Sequence, residues 1–404
     1  MPEQVLLVGS SFSAAPVLFA LKQHGLHVHV CGNLPSDPCH AHADGSHYTD
    51  YSNAVNLESL LTQQPYAHVV PTCNDYSYLS CAQLAEKWHL PGFDSWETCL
   101  LLHTKNRFRA FMERHNLSAP KCRLQTASRA DIDGLRFPLL VKPIDSFSGR
   151  GMTRLHQADG LSQAVERAIQ ASPSGEIVIE EFKDGTLHSH SAFIKNQEIL
   201  FDFFVDEFCT VYPYQVDCSN HPSGLSEAVR TSVRTIMTRL IQILELVDGL
   251  LHTQFIVHGQ EVWIIECMRR CPGDLYGHLI ERSTGLPYTD CYLKPFIGQP
   301  LELPRATKPL RYYGRHTIST RTKQNNFCFR STIPAKETWI VPLKESGHPL
   351  KPAPFDKLAI LFCEFADMAD TLRITPHLAE HIRIESLDER FEASAASTSS
   401  GIPS

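Results

Sequence analysis

Residues 137–155, FPLLVKPIDSFSGRGMTRL, decide how the rest of the chain is read. Phe137 to Val141 is a short apolar run that predicts a buried strand, and Lys142 follows where that strand should emerge. After Pro143 comes a loop of small residues, Ser146 to Gly151, and then a second strand-like run, Met152 to Leu155. Two strands joined by a Ser/Gly loop with a lysine at the root can lay backbone N–H groups and one positive charge along a polyphosphate, because glycine lets the backbone approach closely. The order G-x-x-x-x-G-K-[ST] and a helix directly after it are both missing, so this is not a P-loop. Taken alone, the motif is more often a plain hairpin with an exposed lysine.

The whole chain narrows the choice. A length of 404 residues predicts two or three domains, and 43% hydrophobic with 20% charged residues is ordinary globular composition. A net charge of -7 argues against a general nucleic-acid binder and for a small polar partner. MPEQVLLVGS has no positive n-region, and the most apolar long segment, Ile236 to Leu251, carries Arg239, Glu245 and Asp248, so neither a signal peptide nor a membrane span is expected. Thirteen singly scattered cysteines fit reduced thiols and a cytoplasmic protein.

Residues 4 to 99 alternate strand and helix signals: a strand at Val5–Val8, a helix at Pro16–His24, strands at His27–Cys31 and ending at Val69–Pro71, and a helix capped by Asp75 that runs to about Trp88. That is the βαβ pattern of a parallel sheet. Cys31, Cys39, His40, His42 and His47 invite a zinc reading, but no C-x-x-C or H-x-x-x-H pair is present and a polar loop is preferred. Thr104 can cap a helix through His115 whose first turn holds Lys105; a lysine there opposes the helix dipole, and a ligand anion would account for it.

Leu161, Ala164, Val165, Ala168 and Ile169 predict an amphipathic helix, and Glu176 to Phe182, EIVIEEF, a strand ending in two acids. A hairpin follows at Ser189–Ile194 and Ile199–Val205, then a long helix at Leu225–Val247 and strands at His252–Val257 and Glu261–Cys267. Alternation on the last strand puts Glu266 at a buried-looking position, which asks for a metal or a cation; an ion pair with Arg269 or Arg270 is the plain alternative. Further strands are read at Tyr312–Ser319 and Ala359–Cys363, and Glu392 to Ser404 reads as a disordered tail.

Taken in order, a lysine on a helix, a strand-lysine-glycine-loop hairpin, a strand ending in EEF and a strand carrying Glu followed by Arg resemble the ATP-grasp superfamily, with the domain organisation of biotin carboxylase and glycinamide ribonucleotide synthetase. The resemblance covers residues 1 to about 385 and implies an α/β fold, α+β in the ATP-grasp region. An N-terminal parallel-sheet Rossmann-like domain would span 1–100, a two-subdomain ATP-grasp domain 101–300 with its lid hairpin at about 120–185, and a C-terminal α/β subdomain 301–390, with 391–404 left as the tail.

By the same resemblance Lys105 and Lys142 contact ATP phosphates, and Ser146, Ser148, Gly149 and Gly151 belong to the lid. Glu180, Glu181, Phe182 and Lys183 form the hinge that reads adenine. Glu266 binds Mg2+, or Mn2+ in its place, with the Gln254 amide oxygen as a weaker second ligand, and Arg270 acts with Lys142 in catalysis by steadying an acyl phosphate or tetrahedral intermediate. Three positions depart from the family: Gln254 where an acid is usual, Met268 where an asparagine is usual, and Leu187 near the expected ribose-binding acid. Asp274 is a substitute oxygen donor, and Asp206 to Asp217, DEFCTVYPYQVD, a contributor to the substrate pocket.

The implied activity is an ATP-dependent ligase that converts a small carboxylate to an acyl phosphate and joins it to an amine, releasing ADP and phosphate. Its partners are small molecules, with a homodimer allowed and no nucleic acid or membrane. A thiol or bicarbonate acceptor, and a regulatory nucleotide-binding protein that has lost catalysis, are the alternatives; Gln254 and Met268 favour the last.

Overall fold

The computed structural model describes residues 2–125, 132–146, 149–306 and 308–387. Ser148 and the 391–404 tail lie outside them. The chain divides into two compact units. The first holds the residues up to Ser146 together with Gly151–Val205 and Leu225–Leu310; the second holds the end of the glycine loop at Arg150, Asp206–Gly224 and the chain from Arg311 onward.

In the first unit β1 (Gln4–Val8), α1 (Ala15–Gln23), β2 (His27–Cys31), β3 (Gly45–His47), α2 (Ala54–Gln63), β4 (His68–Pro71) and α3 (Asp75–Trp88) build a parallel sheet in the order β3-β2-β1-β4. Val5 to Val8 are fully buried, as a central parallel strand covered on both faces must be. The expected βαβ pattern is present. One detail differs: Asn74, not Asp75, caps α3, its side chain accepting from the Ser77 N–H, so the Asp75 carboxylate in the first turn can serve another partner.

Next come α4 (Trp96–His103), α5 (Lys105–Arg114), β5 (Cys122–Gln125), β6 (Leu139–Pro143), β7 (Thr153–Leu155), α6 (Leu161–Gln170) and β8 (Ile177–Glu181). Thr104 occupies the cap position of α5 without a side-chain cap bond. The strands form an antiparallel sheet in the order β5-β8-β6-β7. Leu139, Val141, Leu155, Ile177 and Ile179 pack on Ala164 and Ala168 of α6. Strand alternation then puts Leu140, Lys142, Arg154 and Glu180 on the other face, with Leu140 opposite both Arg154 and Glu180. Residues 137–155 are the expected hairpin, but β6 starts two residues later than the apolar run suggests, so Lys142 stands inside the strand.

The chain continues through β9 (Thr186–Lys195), β10 (Glu198–Phe208), β11 (Cys218–His221), α7 (Glu227–Ile243), β12 (Gly249–His258), β13 (Glu261–Met268), α8 (Tyr276–Thr284) and α9 (Tyr288–Leu293). Strand β12 pairs antiparallel with β9 on one side and β13 on the other. Val233, Met237, Leu240 and Ile241 of α7 cover Phe255, Val257, Ile264 and Cys267. Ser226 caps α7, and the helix ends before Glu245, whose φ of 49° cannot continue it, so it is shorter than its apolar periodicity suggests.

The second unit contains β11, β14 (Tyr313–Ile318), β15 (Phe327–Ser331), β16 (Glu337–Pro342), β17 (Ala359–Glu364), α10 (Met368–Ile374) and β18 (Ile382–Ser386). Its antiparallel ladder runs from the last residues of β10 through β11, β14 and β17 to β16, with β15 and β18 as a separate ribbon. Among the described residues no helix is long and apolar enough to cross a membrane.

Candidate functional site

Lys105, the first residue of α5, donates from Nζ to the carbonyls of Ile144 and Ser146 at 3.1 and 2.9 Å, which fixes it at the mouth of the glycine loop. Four residues on, along the same helix face, Arg109 is 2% exposed. Its Nε donates to Glu180 Oε2 at 3.0 Å and its Nη1 to the Ile264 carbonyl at 3.3 Å. Lys142 Nζ donates to the other oxygen of the same carboxylate at 2.6 Å.

Both partners of Glu180 are therefore cations, and all three side chains are buried. Burial lowers the Lys142 ammonium below its ordinary range against the pull of Glu180, with Arg109 and Lys105 lowering it further. Burial by itself would raise the Glu180 carboxyl, but Arg109 and then Lys142 outweigh it and hold it below its ordinary value. Among the described residues, two buried cations against one anion leave a positive charge uncompensated, and Arg109 Nη2 has no hydrogen-bond partner. Such a charge is costly unless an anion meets it. A polyphosphate fits this donor set.

The remaining residues of the expected hinge are held by their own contacts. Glu181 accepts from Lys183 Nζ at 2.8 Å and from the Arg136 N–H at 3.1 Å. The Arg154 guanidinium lies 3.7 Å over the Phe182 ring, and Lys183 Nζ lies 5.1 Å from the centre of the Trp263 ring. The backbone N–H of Phe182 donates to the Pro138 carbonyl at 2.8 Å, tying the hinge to the strand that carries Lys142.

The expected metal ligands Gln254 and Glu266 are direct partners across β12 and β13, flanked by the pair His252 and Met268. A bulge follows: Phe255 pairs with Ile264, leaving Ile265 as the extra residue. Phe255, Ile264 and Cys267 stay in the core while Gln254 and Glu266 turn to the other face, half-buried. The buried position expected for Glu266 is thus corrected, because simple alternation does not survive an inserted residue. The ion pair with Arg269 or Arg270 is not formed either: Arg269 pairs with Asp94 and Arg270 with Asp75. The Glu266 carboxylate takes no hydrogen bond among the described residues. One carboxylate and one amide oxygen suit a hard cation such as Mg2+ that draws its other ligands from phosphate and water, whereas the Met268 thioether adds nothing to it.

Arg270 is clamped. Its Nε and Nη2 donate to the two oxygens of Asp75 at 2.8 and 3.0 Å, and its Nη1 to the carbonyls of Cys73 and Cys271 at 3.4 and 3.2 Å. Burial would raise the Asp75 carboxyl, but Arg270 and a hydrogen bond from His103 hold it well below its usual range. Four of five guanidinium N–H groups are engaged, leaving one on Nη2 for an oxyanion. Beside it a narrow crevice is lined by Ser13, Cys73, Cys271, Gly277, His278 and Thr289.

Gly151, at φ 74°, is required where it stands, since a Cβ there would lie 2.4 Å from that of Ala171. Gly149 falls in the second unit, where a Cβ would meet the Pro213 carbonyl at 2.6 Å. In that unit the two aspartates of residues 206–217 are used internally: Asp206 accepts from Asn220, Ser223 and the Gly224 N–H, and Asp217 from Thr210. Asp217, Cys218 and His316 form a buried triad of ligand-type side chains, with Cys218 Sγ 3.1 Å from His316 Nδ1 and 3.4 Å from Asp217 Oδ2. The three side chains contact one another through Cys218 Sγ and His316 Nδ1 and are buried.

No protein-family model matches the chain. It is 25% identical over 207 residues to the carbamoyl phosphate synthase large chain of Halobacterium salinarum, covering 50% of this chain but only 20% of that one. It is 26% identical over 306 residues to the formate-dependent phosphoribosylglycinamide formyltransferase of Prochlorococcus marinus, covering 74% and 78%. The fold matches the L-amino acid ligase of Bacillus licheniformis with a TM-score of 0.76 at 16% identity, over 95% of this chain and 98% of that one. It matches the biotin carboxylase domain of the Hydrogenobacter thermophilus 2-oxoglutarate carboxylase, a dimer in complex with MgADP, ADP and bicarbonate, with a TM-score of 0.72 at 16% identity over 95% and 91%.

The chain has the fold of the ATP-grasp enzymes.

In this ATP-grasp fold two residues of the candidate site escape a reading of the sequence. Arg109 interrupts the apolar face of Phe108, Phe111 and Met112 at four residues from Lys105, a visible signal whose partner is 71 positions away. Asp75 reads as a helix cap, and its bond to Arg270, 195 positions away, exists only in the folded chain.

Proposed function

We propose that this ATP-grasp chain is an ATP-dependent ligase that activates a small carboxylate as an acyl phosphate and joins it to an amine, releasing ADP and phosphate. The observation that carries the reading is the uncompensated positive charge of Arg109 and Lys142 against Glu180, with Lys105 at the adjoining loop. A carboxylate has no leaving group in water. Moving the γ-phosphoryl onto it supplies one, and neutralising and aligning the phosphates is most of the catalysis.

In this reading Lys105 and Lys142 bind the phosphates, and the hinge of Glu180, Glu181, Phe182 and Lys183 holds the base. Glu266 and the Gln254 amide oxygen hold one Mg2+, which screens phosphate charge; Mn2+ in its place is tested by substitution. Arg270 offers its remaining N–H to the developing oxyanion, its orientation fixed by Asp75. The lid built on Ser146, Ser148, Gly149 and Gly151 excludes water, which would otherwise hydrolyse the acyl phosphate. The partners are a small acid and a small amine in the cytoplasm, with assembly as a homodimer checked by light scattering.

The test is ADP release from purified protein with MgATP and a mixed library of carboxylates and amines, followed by mass spectrometry of the products. Nucleotide binding without any ADP would sink the ligase and favour a regulatory role, for which the single carboxylate of the Gln254–Glu266 pair is the supporting observation. ADP formed only with bicarbonate or a thiol would move the chain to another acceptor.

A further inference from the structure

Arg109 joins three elements of the first unit. It leaves α5, donates to Glu180 at the end of β8, and donates to the Ile264 carbonyl on β13, two residues before Glu266. The hairpin lysine and the strand of the metal side are thereby referred to one guanidinium. Its electrostatic effect is as specific as its geometry. With Glu180 as its only carboxylate partner, a buried Lys142 would form a neutral pair, and its ammonium would have little net attraction left for an anion. Arg109 shares that carboxylate and offsets its charge, so the trio as a whole stays positive.

We propose that Arg109 is a positioning residue of the nucleotide site: it occupies one oxygen of Glu180, sets the other against Lys142, and keeps Lys142 electrically available to the terminal phosphates of ATP. The proposal rests on the nucleotide-binding reading above. It separates two quantities that a structural arginine would move together, namely affinity for the triphosphate and affinity for the nucleoside monophosphate.

The experiment measures binding of MgATP and of AMP by titration calorimetry to the full chain and its variants. Arg109→Met is expected to weaken MgATP about 10- to 100-fold, the loss of one charge-assisted interaction, with AMP affinity changed less than about threefold. Arg109→Lys, which keeps the charge, is expected to restore most of the MgATP affinity. Should the methionine variant not fold, Arg109→Gln, which keeps a donor for Glu180 without the charge, carries the same expectation. Equal losses for ATP and AMP, or unchanged MgATP binding, would overturn the proposal. Wild-type protein that binds neither nucleotide would instead remove the reading on which the proposal rests.

Discussion

Replacing Glu180 with glutamine keeps the volume of the side chain and removes the one anion shared by Arg109 and Lys142. All three residues are 6% exposed or less, so solvent cannot screen the result. Breaking a buried ion pair by deleting one partner costs about 3–5 kcal/mol, and two cations rather than one lose their partner here, so the upper end is expected. The pH dependence has a definite sign. The folded carboxyl of Glu180 sits below its ordinary value of 4.5, so its stabilising contribution is complete above that value and is lost as pH falls through the lower, folded one.

The wild type should therefore lose stability on acidification through this window, while Glu180→Gln loses less and the difference between the two proteins shrinks. Urea denaturation followed by tryptophan fluorescence, at neutral pH and at steps toward pH 3, measures both quantities. Phosphate offers the stranded cations a new anion, so the stabilisation by MgATP at equal concentration should be larger for the variant than for the wild type. A variant within about 1 kcal/mol of wild type at neutral pH, or a deficit that does not change with pH, would refute the account of the trio as two buried cations held by one shared anion.

Other substitutions test the remaining parts. Lys142→Met and Glu266→Gln should each abolish ADP formation, by a factor on the order of 100 or more, if the first binds phosphate and the second the metal; wild-type rates in either variant would remove that residue from the mechanism. Asp94→Ala strands the buried Arg269, which donates to Asp94 at 2.7 Å, and should cost about 3–5 kcal/mol in urea denaturation; adding Arg269→Met should recover part of that loss. Gly151→Ala puts a Cβ 2.4 Å from Ala171 at a φ of 74° and should cost about 1–3 kcal/mol, read as a lower thermal midpoint.

Many of the elements and their order were legible in the sequence, although helices such as Ala54–Gln63 and Trp96–His103 were not. Hydrophobic periodicity is a local property, so the parallel strands at Val5–Val8 and His27–Cys31, the hairpin around the glycine loop and the helix after Leu161 could all be read from a few neighbouring residues. Residues 137–155 carried a functional hint only as part of the ordered set of motifs, since a short Gly/Lys motif by itself also fits a plain hairpin. Only the tertiary structure decided how charges are shared. Lys142 appeared as an exposed charge beyond a strand and proved to be inside it, on the same carboxylate as an arginine 33 positions earlier in the chain. Glu266 left the core because one residue inserted opposite Phe255 changed the side of the sheet it faces. Electrostatic pairing acts through space between groups far apart in sequence, and no local pattern records it.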